Sequence, residues 1–221
     1  MKGTLNPRVK ICCISSKKEA RLAIEYGASA LGLVGNMPSG PGVISEMLIK
    51  EIAGFTPPPI ATFLLTSEVD AASIIAQHKS VHTNTIQLVD KIPTENFHKI
   101  RTALPNIKLV QVIHVIDEKS VEDAIYISKY VDAILLDSGN PNLKIKELGG
   151  TGRVHNWDLS KEIREKISIP LFLAGGLNAN NIREAIEYVQ PFGVDLCSGV
   201  RTGGELDEGK LSKFFEKINI V

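Results

Sequence analysis

The chain has 221 residues, 43% of them hydrophobic, enough to bury one enzyme-sized core. Twenty-five Lys and Arg balance 25 Asp and Glu, so bulk charge points neither to nucleic acid nor to an anionic membrane. No apolar run approaches a membrane span, and the opening MKGTLNPRVKICC is too polar for a signal peptide. Three cysteines, two of them adjacent, make neither a disulfide framework nor a zinc site, so a reducing cytoplasm is the expected setting.

In chain order, short apolar β runs alternate with amphipathic helical runs. Residues 9–12 read as the first strand. Ser15 or Ser16 then caps a helix over 17–26, which Gly27 stops. Strand 30–34 leads into the loop GNMPSGPGVIS and a helix near 46–53. Three prolines at 57–59 precede a strand at 60–65, with a helix near 69–77 behind it. The pattern repeats with strand 85–88, helix 95–103, strand 108–115, helix 120–129 and strand 133–136. A long polar loop over 137–156 separates the sixth strand from a helix at 159–166.

The stretch LFLAGGLNANNIREAIEYVQPFGVDLCSGV then supplies strand, glycine turn, helix, strand and a second small-residue turn. Asn178 to Asn181 are the candidate caps of its helix, whose apolar positions Ile182, Ala185, Ile186 and Val189 follow helical spacing. A last helix spans 208–218. Eight strands and eight helices in strict alternation predict a single (β/α)8 TIM barrel over residues 1–221. An open doubly wound sheet is the alternative, but the turn after the first strand is CCISS, with no GxGxxG.

Two consecutive strands ending in small residues, at Gly175 and Gly176 and at Ser198 and Gly199, predict a phosphate site where backbone N–H groups surround the anion. The plainer reading makes these glycines tight turns only. Barrel chemistry belongs at the C-terminal strand ends, which carry Cys12, Cys13 and Asp137, with His114 and Asp195 near theirs. Alone, Cys12 reads as a small core residue and Asp137 as a loop cap. Together, opposite a phosphate cradle, they read as a general base and a general acid.

VKICCIS, ILLDS, GGTG followed by Trp157, LAGGLNANNI and VDLCSGV together resemble the phosphoribosylanthranilate isomerases, from Val9 to about Phe215. The resemblance implies an Amadori rearrangement of a phosphorylated aminosugar by a monomeric or homodimeric barrel that needs no cofactor or metal. It puts the base on Cys12 and the acid on Asp137. Phosphate contacts fall on Gly175, Gly176, Ser198 and Gly199, and a substrate contact on Asp195.

The chain also departs from that pattern. The loop after the second strand is PSGPGVIS, without the family's SPR arginine. QLVD stands for QLHG, so Val89 replaces a histidine and Asp90 a glycine. Cys13 stands where the family has glycine, and Arg201 where it has glutamate. Losing two charge-assisted contacts to the substrate carboxylate would cost about 3–6 kcal/mol. Arg153 and Arg201 are the candidates to replace them, and without one over the pocket, turnover of phosphoribosylanthranilate is expected to be weak. Two other readings stay open at this point: the same chemistry on another phosphorylated aminosugar, and a barrel that binds a phosphorylated ligand without turnover.

Overall fold

The computed structural model describes residues 6–139 and 154–219. Eight parallel strands close into a barrel in chain order: β1 (Arg8–Ile11), β2 (Ala30–Val34), β3 (Ala61–Thr66), β4 (Thr85–Leu88), β5 (Lys108–His114), β6 (Ala133–Asp137), β7 (Leu171–Leu173) and β8 (Gly193–Leu196). Closure comes from β1 pairing with β8, Lys10 opposite Asp195 and Ile11 opposite Leu196.

The helices are α1 (Lys17–Tyr26), α2 (Glu46–Phe55), α3 (Ala71–Val81), α4 (Thr94–Ala103), α5 (Lys119–Ile127), α6 (Trp157–Lys166), α7 (Ile182–Val189) and α8 (Glu208–Asn219). Local chemistry sets several of their ends. Ser16 and Ser45 accept from the amides of Glu19 and Leu48, and Asp70 accepts from those of Ala72 and Ser73. Gly27, at φ 109°, ends α1 in the left-handed conformation that glycine adopts without strain.

Strand alternation divides the apolar side chains into two layers. Val9, Ile11, Leu31, Leu33, Leu64 and Ile86 face outward and pack under the helices. Cys12, Ala30, Val34, Phe63, Val110, Leu135 and Phe172 face inward and fill the barrel. Each fully buried Leu, Ile or Phe contributes roughly 1.5–3 kcal/mol relative to exposure. Strands buried on both faces explain why their sequences read as unbroken apolar runs.

The last helix, α8, starts at Glu208 as expected, but the stretch before it was not read from the sequence: a single 3-10 turn, Ser198–Val200, leads into a hairpin of β9 (Arg201–Thr202) and β10 (Glu205–Leu206). Two-residue strands are too short to carry a period that a sequence can show. Asn178 to Asn181 also work differently from simple caps. Asn181 accepts from the amide of Asn178, and both Asn178 and Asn181 donate to the Gly176 carbonyl, while Asn181 makes no side-chain cap to α7. Most of the loop expected at 137–156, with Arg153, lies outside the described residues.

Candidate active site

The C-terminal strand ends surround a cleft of about 680 Å³, its open mouth included. Cys12 and Cys13 reach it from β1, Asp137 from β6 and Asp195 from β8. Gly175, Gly176 and Ser198 form one part of its wall, and Val34, Met37, Leu65, Val89 and Leu135 give it an apolar lining.

Gly175 and Gly176 have φ of 82° and 65°, a left-handed pair that side chains rarely adopt. Gly199 is needed for another reason. A Cβ there would sit 2.0 Å from the Leu177 carbonyl oxygen, so only glycine lets the turn after β8 press against the turn after β7. The two turns proposed to share a phosphate are therefore in contact. Gly199 supports that approach from behind and is not part of the cleft wall.

The acid candidate is buried. Asp137 is 8% exposed, and desolvation holds its carboxyl above the usual range, against the Ser138 amide that donates to it at 2.7 Å. Asp195 is also held above the usual range by burial, with Lys10 pulling the other way at 2.8 Å. One Asp195 carboxylate oxygen, Oδ1, is buried without a partner, which leaves an acceptor available beside the cleft.

The thiols behave differently from one another. Hydrogen bonding with Cys13 is the largest influence on Cys12. Together with the nearby Lys10 ammonium it outweighs burial and pulls the Cys12 thiol below its ordinary value, while Asp195 opposes. Cys13 is pushed up by its sulfur contacts with Cys12 and Cys197 and by burial, so it stays protonated and able to donate. Cys197 Sγ lies 2.8 Å from Cys13 Sγ, and Cys13 contacts the Pro41 carbonyl at 3.6 Å. Cys13 holds φ 63°, the conformation that the family's glycine would take without cost.

Arg201 lies elsewhere than a substrate contact would require. Its guanidinium pairs with Glu19 at 2.9 Å and donates to the carbonyls of Cys12 and Cys13 at 3.1 and 2.7 Å. It is 8% exposed and does not line the cleft. Its charge is committed beneath the end of β1.

The chain as a whole has relatives among known proteins. The profile described as N-(5'phosphoribosyl)anthranilate (PRA) isomerase matches residues 9–217. The chain belongs to the phosphoribosylanthranilate isomerase family. It is 33% identical over 230 residues to N-(5'-phosphoribosyl)anthranilate isomerase of Methanosarcina acetivorans, covering 98% of this chain and 95% of that one. It is 35% identical to the enzyme of the same name from Nostoc punctiforme, covering 96% and 98%. A solved phosphoribosyl anthranilate isomerase in complex with reduced 1-(o-carboxyphenylamino)-1-deoxyribulose 5-phosphate superposes with a TM-score of 0.80 at 28% identity, over 97% of this chain and all of that chain.

Within this isomerase, three features escaped the sequence reading. Lys10 was hidden because a single charge inside an apolar strand looks like an edge residue until alternation turns it inward. The Glu19–Arg201 pair joins residues 182 apart, and the Cys13–Cys197 contact residues 184 apart. No local spacing signals either one. Among the described residues lining the cleft, none is cationic, so the apolar wall at Val34, Met37, Leu65 and Val89 has no charged counterpart there.

Proposed function

We propose that the chain isomerises N-(5-phosphoribosyl)anthranilate to 1-(o-carboxyphenylamino)-1-deoxyribulose 5-phosphate in tryptophan biosynthesis, in the cytoplasm. The observation that carries this reading is the convergence of Cys12 and Asp137, on different strands, at one cleft whose rim holds Gly175, Gly176 and Ser198.

Asp137, kept protonated by burial, gives its proton to the ribose ring oxygen, and the ring opens to a Schiff base. Cys12, favoured as thiolate, removes the proton from the sugar C2. The resulting enolamine tautomerises to the ketone. Asp195 Oδ1 accepts from a sugar hydroxyl, and the paired turns at Gly175, Gly176 and Ser198, braced by Gly199, hold the phosphate. Arg201 is assigned to fixing the carbonyls of Cys12 and Cys13, which orients the base, rather than to the substrate. The anthranilate ring takes the apolar wall, where its ring surface is desolvated.

A steady-state assay on phosphoribosylanthranilate, paired with complementation of a tryptophan auxotroph lacking this isomerase, tests the proposal. Growth and measurable turnover are expected. A folded, soluble protein that does neither would overturn it in favour of another aminosugar phosphate.

A further inference from the structure

Beneath the floor of the cleft sits a charge that neither proton transfer uses. Lys10 points inward from β1 and is 0% exposed. Its ammonium meets Asp195 Oδ2 at 2.8 Å and lies 5.3 Å from the centre of the Phe63 ring. Among the described residues, Asp195 is its one hydrogen-bond partner. If the interior needed only volume here, an apolar chain of similar length would fill the space without the desolvation cost of an ammonium.

Cys12 stands two residues further along the same chain, and so on the same face. Gly32 on β2 keeps the space between them open. A Cβ at Gly32 would lie 2.8 Å from Cys12 Sγ and 3.0 Å from Lys10 Nζ, so sulfur and ammonium are separated by no more than the sum of those distances. In a water-poor interior, a cation at that range acts strongly on a developing thiolate.

We propose that Lys10 is a positioning residue for the isomerisation: held by Asp195 beneath Cys12, its ammonium keeps the Cys12 sulfur ionised and in place. The proposal rests on the reading of Cys12 as base, but its test does not require turnover. The other groups facing Cys12 are accounted for. The Cys13 thiol draws the Cys12 thiol down from the neighbouring residue and has Cys197 behind it. Arg201 binds its carbonyl and is itself paired with Glu19. Asp195 opposes ionisation, and Asp137 sits at the end of β6. Among the described residues, Lys10 is the cation that draws the Cys12 thiol down.

The chain has three cysteines, so Cys13→Gly with Cys197→Ser leaves Cys12 as the only thiol. Its reaction rate with iodoacetamide, followed by intact mass against pH, gives the ionisation inflection directly. In that background, without the Cys13 contact, burial is set against Lys10, so the quantity read is the change in the inflection when Lys10 is replaced. Lys10→Met should raise the inflection by about 1–2 pH units, slowing alkylation at pH 7 by about 10- to 100-fold, and Lys10→Arg should restore it. A Lys10→Met protein with a native circular-dichroism spectrum and an unmoved inflection would overturn the proposal. If that variant does not fold, Lys10→Gln takes its place with the same expectation, and an inflection that it leaves unmoved overturns the proposal. Should the inflection shift as expected while Cys12→Ser keeps its turnover, the reading of Cys12 as base fails and the Lys10–Cys12 coupling stands.

Discussion

Asp137, the proposed acid, shows at the scale of one residue how burial sets stability against chemistry. Burial holds its carboxyl above the ordinary range. A group whose folded pKa is raised stabilises the fold fully only below its unfolded pKa, and that contribution is lost as pH rises through the folded value. At pH 7 the ionised form is therefore a burden on the fold. Asp137→Asn removes the titration and retains the shape. It is expected to lower kcat by about 10²–10⁴-fold while leaving the melting temperature at pH 7 equal or higher, as paired kinetics and thermal melts would show. A falling melting temperature would mean that the carboxylate is structurally needed.

Cys13 sets two small effects against each other. Its left-handed backbone costs roughly 1–2 kcal/mol without glycine, and glycine would return about 0.5–1 kcal/mol of that through a more flexible unfolded chain. Cys13→Gly should accordingly change the melting temperature little. Because the Cys13 thiol supports the Cys12 thiolate, the limb of kcat/KM set by the thiol should move to higher pH in this variant.

Between elements, the Glu19–Arg201 pair ties the first turn of α1 to the β9–β10 hairpin. Glu19 also accepts from the amides of Ser15 and Leu206, so one carboxylate closes three segments. Burial opposes its ionisation, but these hydrogen bonds, Arg201 first, outweigh burial and hold it below the usual carboxylate range. With the two side chains 6% and 11% exposed, solvent screens the pair little. Arg201→Met should cost about 3 kcal/mol at pH 7 by leaving a buried charge unpaired. A depressed folded pKa gives stability above the unfolded carboxylate value, and that stability fades as pH falls through the folded one. The gap between variant and wild type should therefore narrow in urea melts taken towards pH 3.

The loop after β2 and the end of β4 belong to the same scale. Val89 and Pro41 both face the cleft, at the two motifs where the sequence departs from the histidine and arginine that its family resemblance implies. Gly42 is no place for the arginine, because at φ 80° a Cβ there would come within 2.5 Å of Cys13 Cβ. Val89→His with Pro41→Arg should raise kcat/KM for phosphoribosylanthranilate by giving its carboxylate partners. Side-by-side steady-state assays decide this. An efficient wild type that the double change leaves untouched would place carboxylate recognition in other groups.

For the whole molecule, the proposed acid and base stand at the ends of β6 and β1, and only closure of the barrel brings them to one cavity. The proposed reaction needs Cys12 ionised and Asp137 protonated. kcat/KM should therefore be bell-shaped, one limb set by the thiol and the other by the carboxyl. A profile that rises to a plateau at high pH would remove Asp137 as the acid.

Much of this architecture was legible before any coordinates, because the signals are local. Apolar runs, serine and aspartate caps and terminating glycines act within a few residues, so the eight strands and eight helices could be read with ends within a few positions. That Cys12 and Asp137 would meet at the cleft was legible because each stands at the end of such a run. What depended on closure was not. Lys10 is buried because β1 pairs with β8 and brings Asp195 beside it. Arg201, a substrate-contact candidate by sequence, is claimed by Glu19, 182 residues away. Local pattern sets which residues become strand or helix, since backbone hydrogen bonds and caps are satisfied by near neighbours. Which charge meets which is decided only when distant strands are joined, since a buried ion takes the partner that the closed barrel places within reach.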